Sequence, residues 1–235
     1  MTRTVLMVLT SHNRFEAIDR PTGWWLEEVA VPYLLLREAG VEVTIASPAG
    51  GKAPMDPASV EADVADDLTR SFLNDREAMD CVNDTIPLGM VRAEDYDALF
   101  FPGGHGPMFD LSVSEEVAEL VADFIREKKP VAAVCHGAAA LLLAADDTGS
   151  SVLEGRRITG FSNEEETAVG LHEAVPFLLQ ESLIARGAEY VCGPPWQPHV
   201  VEDGLFITGQ NPASSMPLAQ ALLKRLGIRR SVRPV

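Results

Sequence analysis

The sequence predicts an α/β fold: a mostly parallel sheet with helices on both faces and a small hairpin insertion. Three observations carry this. Strand-like and helix-like segments alternate along the chain. The strand candidates are short unbroken apolar runs, as expected of strands buried on both faces. Hydrophobic residues make up 46% of the 235 residues, enough for a substantial core.

The elements follow in order. Residues 5–9 form a first buried strand. Residues 24–39 form a helix closed by Gly40, with Pro32 starting or kinking part of it. Residues 41–46 are β-branched and alternating and give a second strand. Residues 52–67, rich in Pro, Ala and Asp, read as a loop, and 68–79 as one helix. Residues 96–101 form another buried strand, ended by Pro102-Gly103-Gly104. Residues 114–128 carry apolar side chains at helical spacing, with Ser112 or Ser114 near the N-cap. A strand at 131–134 runs directly into a buried helix at 138–145. A helix ends at 183–187, a short strand follows at 189–192, and Asp203-Gly204 makes a hairpin of 200–207. A closing helix spans 214–226, and the Arg-rich tail beyond Gly227 is frayed. No repeat or linker divides the chain, so residues 1–235 form one domain.

Composition excludes several classes. The formal net charge is −16, which repels nucleic-acid backbones and anionic lipid. The most apolar stretch, 138–145, is too short to span a bilayer, and the first residues lack a secretory pattern. Cys81, Cys135 and Cys192 are too few and too scattered for a disulfide framework or a zinc pattern, which suits a reducing cytoplasm.

In open parallel sheets, sites form beyond the C-terminal ends of strands. Two strand ends carry chemistry here. The first is Cys135-His136-Gly137. An isolated cysteine after an apolar run reads most simply as a small buried residue. At a sharp strand-to-helix turn, however, it sits where unpaired N–H groups and the helix dipole lower a thiol pKa, so Cys135 is a candidate nucleophile. His136, adjacent to it in a turn, points elsewhere; it is either a general base toward substrate or a packed histidine, and its N–H is a candidate oxyanion donor. Other metal ligands at a suitable spacing are missing, so no metal is expected.

The second strand end is Gly103-Gly104-His105-Gly106, either a flexible loop or a close backbone approach with the Gly104 N–H as a second oxyanion donor. It lacks the Lys-Ser/Thr of a phosphate loop. In Trp24-Trp25-Leu26-Glu27-Glu28, acids open a helix, but the apolar flanks of Glu28 favour one inward carboxyl of raised pKa that hydrogen-bonds the sulfur. His105, Trp24 and Trp25 are candidates for lining a substrate. The run Glu164-Glu165-Glu166 reads as a solvated helix start, or supplies a third acid that orients His136.

Together these residues resemble the class I glutamine amidotransferase-like superfamily, of the PfpI and parkinsonism-associated deglycase type. The matching segments are 22–32 around Trp24-Trp25-Leu26-Glu27-Glu28; 46–51; 101–110 around Pro102-Gly103-Gly104-His105-Gly106; Ala133-Val134-Cys135-His136-Gly137; 158–166; and 208–215. The sequence looks closest to the branch of glutathione-independent glyoxalases (glyoxalase III) and heat-shock chaperones. The resemblance implies a flavodoxin-like sandwich, a homodimer, a Cys135 nucleophile followed by His136, and a protonated Glu28 touching the sulfur. It implies a third acid at Glu165, or else Glu166. A glutaminase would need a His-x-Glu arrangement; His172-Glu173 is adjacent and His199 lacks the spacing. The implied activity is conversion of 2-oxoaldehydes such as methylglyoxal to 2-hydroxy acids through a Cys135 hemithioacetal, with no cofactor, metal or glutathione. Alternatives are a stress-responsive holdase with a redox-sensing thiol, and a cysteine hydrolase or isonitrile hydratase on the same site.

Overall fold

A computed structural model describes residues 2–61 and 67–228. The basic tail beyond Ile228 lies outside the described residues. A seven-stranded sheet forms from β1 (Thr4–Val8), β2 (Glu42–Ser47), β3 (Ile86–Pro87), β4 (Ala98–Phe101), β5 (Val131–Val134), β8 (Val200–Asp203) and β9 (Phe206–Gly209), in the order β3-β2-β1-β4-β5-β9-β8. All neighbours are parallel except β8 against β9, the Asp203-Gly204 hairpin. This is the flavodoxin-like α/β arrangement. The remaining strands, β6 (Arg157–Ile158) and β7 (Glu189–Tyr190), pair with each other in a small separate sheet.

The strands β1, β4 and β5 are almost wholly buried, as their unbroken apolar runs predict. Helices surround the sheet. Helix α1 (Leu26–Glu38) packs on α7 (Ser215–Arg225), while α4 (Glu115–Arg126) packs on β4, β5 and the turn that follows β5. Ser114 caps α4 by accepting from the Val117 N–H at 3.2 Å. Pro32 lies inside α1 without ending it; its missing N–H leaves only the Glu28 carbonyl without its helical donor.

Three local expectations change. The single helix over 68–79 is two, α2 (Asp67–Asn74) and α3 (Arg76–Asn83), because the Asp75 side chain accepts from the Ala78 N–H and starts a new helix. The helix over 138–145 is a 3₁₀ stretch, Cys135–Leu141, entirely buried. Trp24 and Trp25 precede α1 instead of opening it.

The chain runs β1 to β2 to β3 toward one edge and then returns to β4 and β5, so strand order reverses between β1 and β4. That crevice is where ligands bind in such sheets. Helix α1 leaves from β1 and Pro102-Gly103-Gly104 leaves from β4, and both border it; Cys135 leaves from the next strand. Gly137 brings the turn after β5 against the end of β4, since a Cβ there would sit 2.2 Å from the Phe101 carbonyl oxygen. Gly137→Ala is therefore expected to cost about 1–3 kcal/mol or more of stability. An unchanged urea midpoint would contradict this close approach.

Candidate active site

Cys135 takes a left-handed backbone conformation, φ 57°, which a side chain adopts only when its surroundings enforce it. The strain marks a sharp elbow between β5 and the 3₁₀ turn. Cys135 is only 4% exposed, and His136 beside it is fully enclosed.

The imidazole of His136 does not point away. Its Nδ1 lies 3.3 Å from Cys135 Sγ, and its Nε2 donates to Glu166 Oε2 at 2.6 Å. A carboxylate can only accept, so the Nε2–H···Oε2 bond fixes the tautomer and leaves Nδ1 as an acceptor facing the sulfur. The other carboxylate oxygen, Glu166 Oε1, accepts from His105 Nε2 at 2.9 Å. The two imidazoles lie against each other, ring centroids 4.1 Å apart. Burial alone would raise the Glu166 pKa, but its pairing with His136 and the hydrogen bonds donated by both imidazoles hold the carboxyl well below the usual carboxylate range. Burial and the neighbouring His136 push His105 down to about 4, so it is neutral at physiological pH.

Of the two candidate acids, the one that hydrogen-bonds His136 is Glu166, not Glu165. Glu165 closes the capping box of α5 (Asn163–Ala168): its Oε2 accepts from the Ser162 N–H and Oγ, while Ser162 Oγ accepts from the Glu165 N–H. Both acids are buried rather than solvated. Consecutive helical residues point about 100° apart, so only one of them can face His136.

Glu28 comes from the first turn of α1 and is fully buried. Its Oε2 accepts from the Gly103 N–H at 2.7 Å, Oε1 has no conventional hydrogen-bond partner among the described residues, and the carboxyl also interacts with the Cys135 thiol. Burial pushes its pKa up to about 8, against the lowering effect of those two contacts. A Cβ on Gly103 would sit 2.6 Å from Oε2, so a larger residue there would displace the carboxyl.

The expectation of a thiol pKa lowered by the turn is not met. Burial pushes the Cys135 thiol up, a charged Glu28 pushes it further, and the opposing N–H of His136 has the smaller effect. The reason is local: the turn is a short enclosed 3₁₀ stretch instead of a long helix whose end meets solvent. A thiolate at this position requires Glu28 to hold its proton and His136 to accept the proton from sulfur.

Other sequence candidates separate clearly. Trp24 is core: its Nε1 donates to the Ala53 carbonyl at 3.1 Å and its backbone pairs with Pro54 and Asp56. Trp25 is half-buried, its indole Nε1 has no partner among the described residues, and its backbone N–H donates to the Gly103 carbonyl. Gly104, φ 85°, packs on the start of α1, where a Cβ would meet the Gly23 carbonyl oxygen at 2.2 Å. His105 sits beside the triad as a second donor to Glu166. Phe161, which the sequence did not single out, packs its ring 4.5 Å from that of His136. His105 Nε2, His136 Nε2 and a Glu166 oxygen lie within 4.8 Å of one another, a set with the right donors for a divalent metal. They come from three separate elements, so no spacing in the sequence showed them. A metal there would take the nitrogens that now donate to Glu166.

The chain is similar to known proteins over nearly its whole length. A sequence profile of the DJ-1/PfpI family matches residues 23–225. The chain belongs to the DJ-1/PfpI family. A glutathione-independent glyoxalase of Schizosaccharomyces pombe, hsp3101, is 31% identical over 232 residues, covering 94% of each chain. The solved structure of Rapid Encystment Protein 24 kDa from Francisella tularensis superposes with a TM-score of 0.92 at 36% identity, covering 96% of this chain and 99% of that one. Glyoxalase III from Candida albicans superposes with a TM-score of 0.86 at 26% identity, covering 94% and 96%.

The raised pKa of Glu28 has a signed consequence for stability. The folded state favours its neutral form, so its contribution is full below the ordinary 4.5 and is lost as pH rises toward about 8. Between about pH 5 and about pH 8, the urea midpoint of the wild type should fall relative to that of Glu28→Gln, which has no proton to lose. Parallel pH profiles for the two proteins would contradict a buried neutral carboxyl.

Proposed function

We propose that the protein is a glutathione-independent glyoxalase that converts small 2-oxoaldehydes such as methylglyoxal to 2-hydroxy acids. The observation that carries this is the Cys135–His136–Glu166 triad with a neutral Glu28 against the sulfur, on a chain related over nearly its whole length to glutathione-independent glyoxalases.

Cys135 Sγ attacks the aldehyde carbon, C1, as its proton passes to His136 Nδ1, which returns it to the former carbonyl oxygen to give a hemithioacetal and a neutral imidazole. The N–H groups of Gly104 and His136, and the Glu28 proton, stabilise charge on sulfur and on the oxyanion. A proton leaves C1 to form an enediol and returns at C2, with His136 as the shuttle held by Glu166. The product is a thioester of the 2-hydroxy acid. Water cleaves it, releasing the acid and restoring the thiol. Carbon is oxidised at C1 and reduced at C2, so no external oxidant or reductant enters. We assign binding of the carbonyl oxygens to His105 and to the Trp25 indole N–H, which has no partner among the described residues. The narrow exposure of Cys135 suits a substrate of few atoms. Among the described residues no helix is long and apolar enough to cross a membrane. We take the working form to be a cytoplasmic homodimer.

Purified wild type should produce lactate from methylglyoxal without glutathione, and Cys135→Ser should not. Glu166→Gln should lower kcat by up to about 10²–10⁴-fold, the usual contribution of the general base it positions, and should also lower thermal stability at neutral pH, because the fold favours the ionised carboxylate. Equal rates for wild type and Cys135→Ser would remove the thiol from the mechanism, and full activity in Glu166→Gln would remove the triad.

A further inference from the structure

The triad uses Glu166 and leaves its neighbour Glu165, equally buried, with no chemical role. Glu165 is nevertheless saturated with donors. Beyond the two from Ser162, its Oε1 accepts from the Trp196 N–H at 2.9 Å and from Asn211 Nδ2 at 2.8 Å, and its Oε2 accepts from Gln210 Nε2 at 3.0 Å. Asn211 Nδ2 also reaches the Gln197 carbonyl, and Gln210 Oε1 accepts from the Gly193 N–H. These bonds fasten the 193–197 loop to the helix that carries Glu166.

Within that loop Trp196 has φ 61°, a left-handed conformation that a side chain keeps only where the surroundings enforce it. The residue is 45% exposed, although its backbone N–H is tied to the buried Glu165. It meets Phe161 edge-on at 5.7 Å, Phe161 lies against His136, and the Phe161 N–H reaches the Cys135 carbonyl at 3.4 Å. One aromatic column therefore runs from solvent to the triad histidine, with Trp196 at its outer end.

We propose that Trp196 is a specificity-determining residue: its indole is the outer wall of the Cys135 site and limits the size of the substituent that an incoming 2-oxoaldehyde can carry. The substrate class rests on the glyoxalase reading above; the wall itself does not. The bonds through Glu165, Gln210 and Asn211 hold the backbone of the 193–197 loop, and with it the Cα of Trp196, in place.

Two ratios test this on the full-length protein. The first is kcat/KM for phenylglyoxal over methylglyoxal. The second needs no turnover: the rate of Cys135 alkylation by N-phenylmaleimide over that by iodoacetamide, followed on the Cys135 peptide by mass spectrometry so that Cys81 and Cys192 do not contribute. In Trp196→Ala each ratio should rise at least about fivefold, the order expected when a pocket wall is removed. Trp196→Phe, which keeps an aromatic wall, should stay within about twofold of wild type. A flat or falling alkylation ratio in Trp196→Ala overturns the proposal, as does a flat turnover ratio in an active enzyme. A wild type that converts neither aldehyde would defeat the glyoxalase reading instead, and the alkylation ratio would still decide the wall.

Discussion

The site depends on one buried proton. Glu28 has no cation beside it among its described contacts: one oxygen takes the Gly103 N–H and the carboxyl faces the Cys135 thiol. Ionising a carboxyl in such surroundings is costly, so the group stays neutral and donates. If it were charged, a thiolate beside it would place two anions in one enclosed space. Helix α1 and the loop after β4 together deliver the carboxyl and the Gly103 N–H that it accepts.

Charge separates accordingly within a few residues. Glu28 is neutral against the sulfur, and Glu166 is charged between two histidines. Environments that drive two like groups apart in pKa also divide their roles. Here one carboxyl supplies a proton toward the thiol, and the other fixes the imidazole that removes one. Glu165, one position before Glu166, is turned away by the helix and fastens a loop instead.

Much of the fold was legible because local signals agreed. The unbroken apolar runs at β1, β4 and β5 can only be strands buried on both faces, and Asp203-Gly204 can hardly avoid a hairpin. Cys135 was legible from its place at a strand end. The choice between Glu165 and Glu166 was legible too, through a signal given too little weight: Ser162 followed three residues later by Glu165 is a capping box, which commits Glu165 to the helix start. Likewise Asp75 could have marked the break between α2 and α3.

The rest was not local. Whether Trp24 faces core or crevice depends on the loop at 53–56 that covers it. The thiol's response to burial depends on everything packed around a seven-residue turn. The pairing of His105 with Glu166 joins residues 61 positions apart, across separate elements.

The proton on Glu28 can be observed directly by infrared difference spectroscopy of wild type against Glu28→Gln, through the carbonyl stretch that only a protonated carboxyl shows. The wild type should carry that band at neutral pH and lose it as pH passes about 8. Its absence at neutral pH would mean that Glu28 is ionised beside the sulfur, and this account of how Cys135 becomes reactive would be wrong.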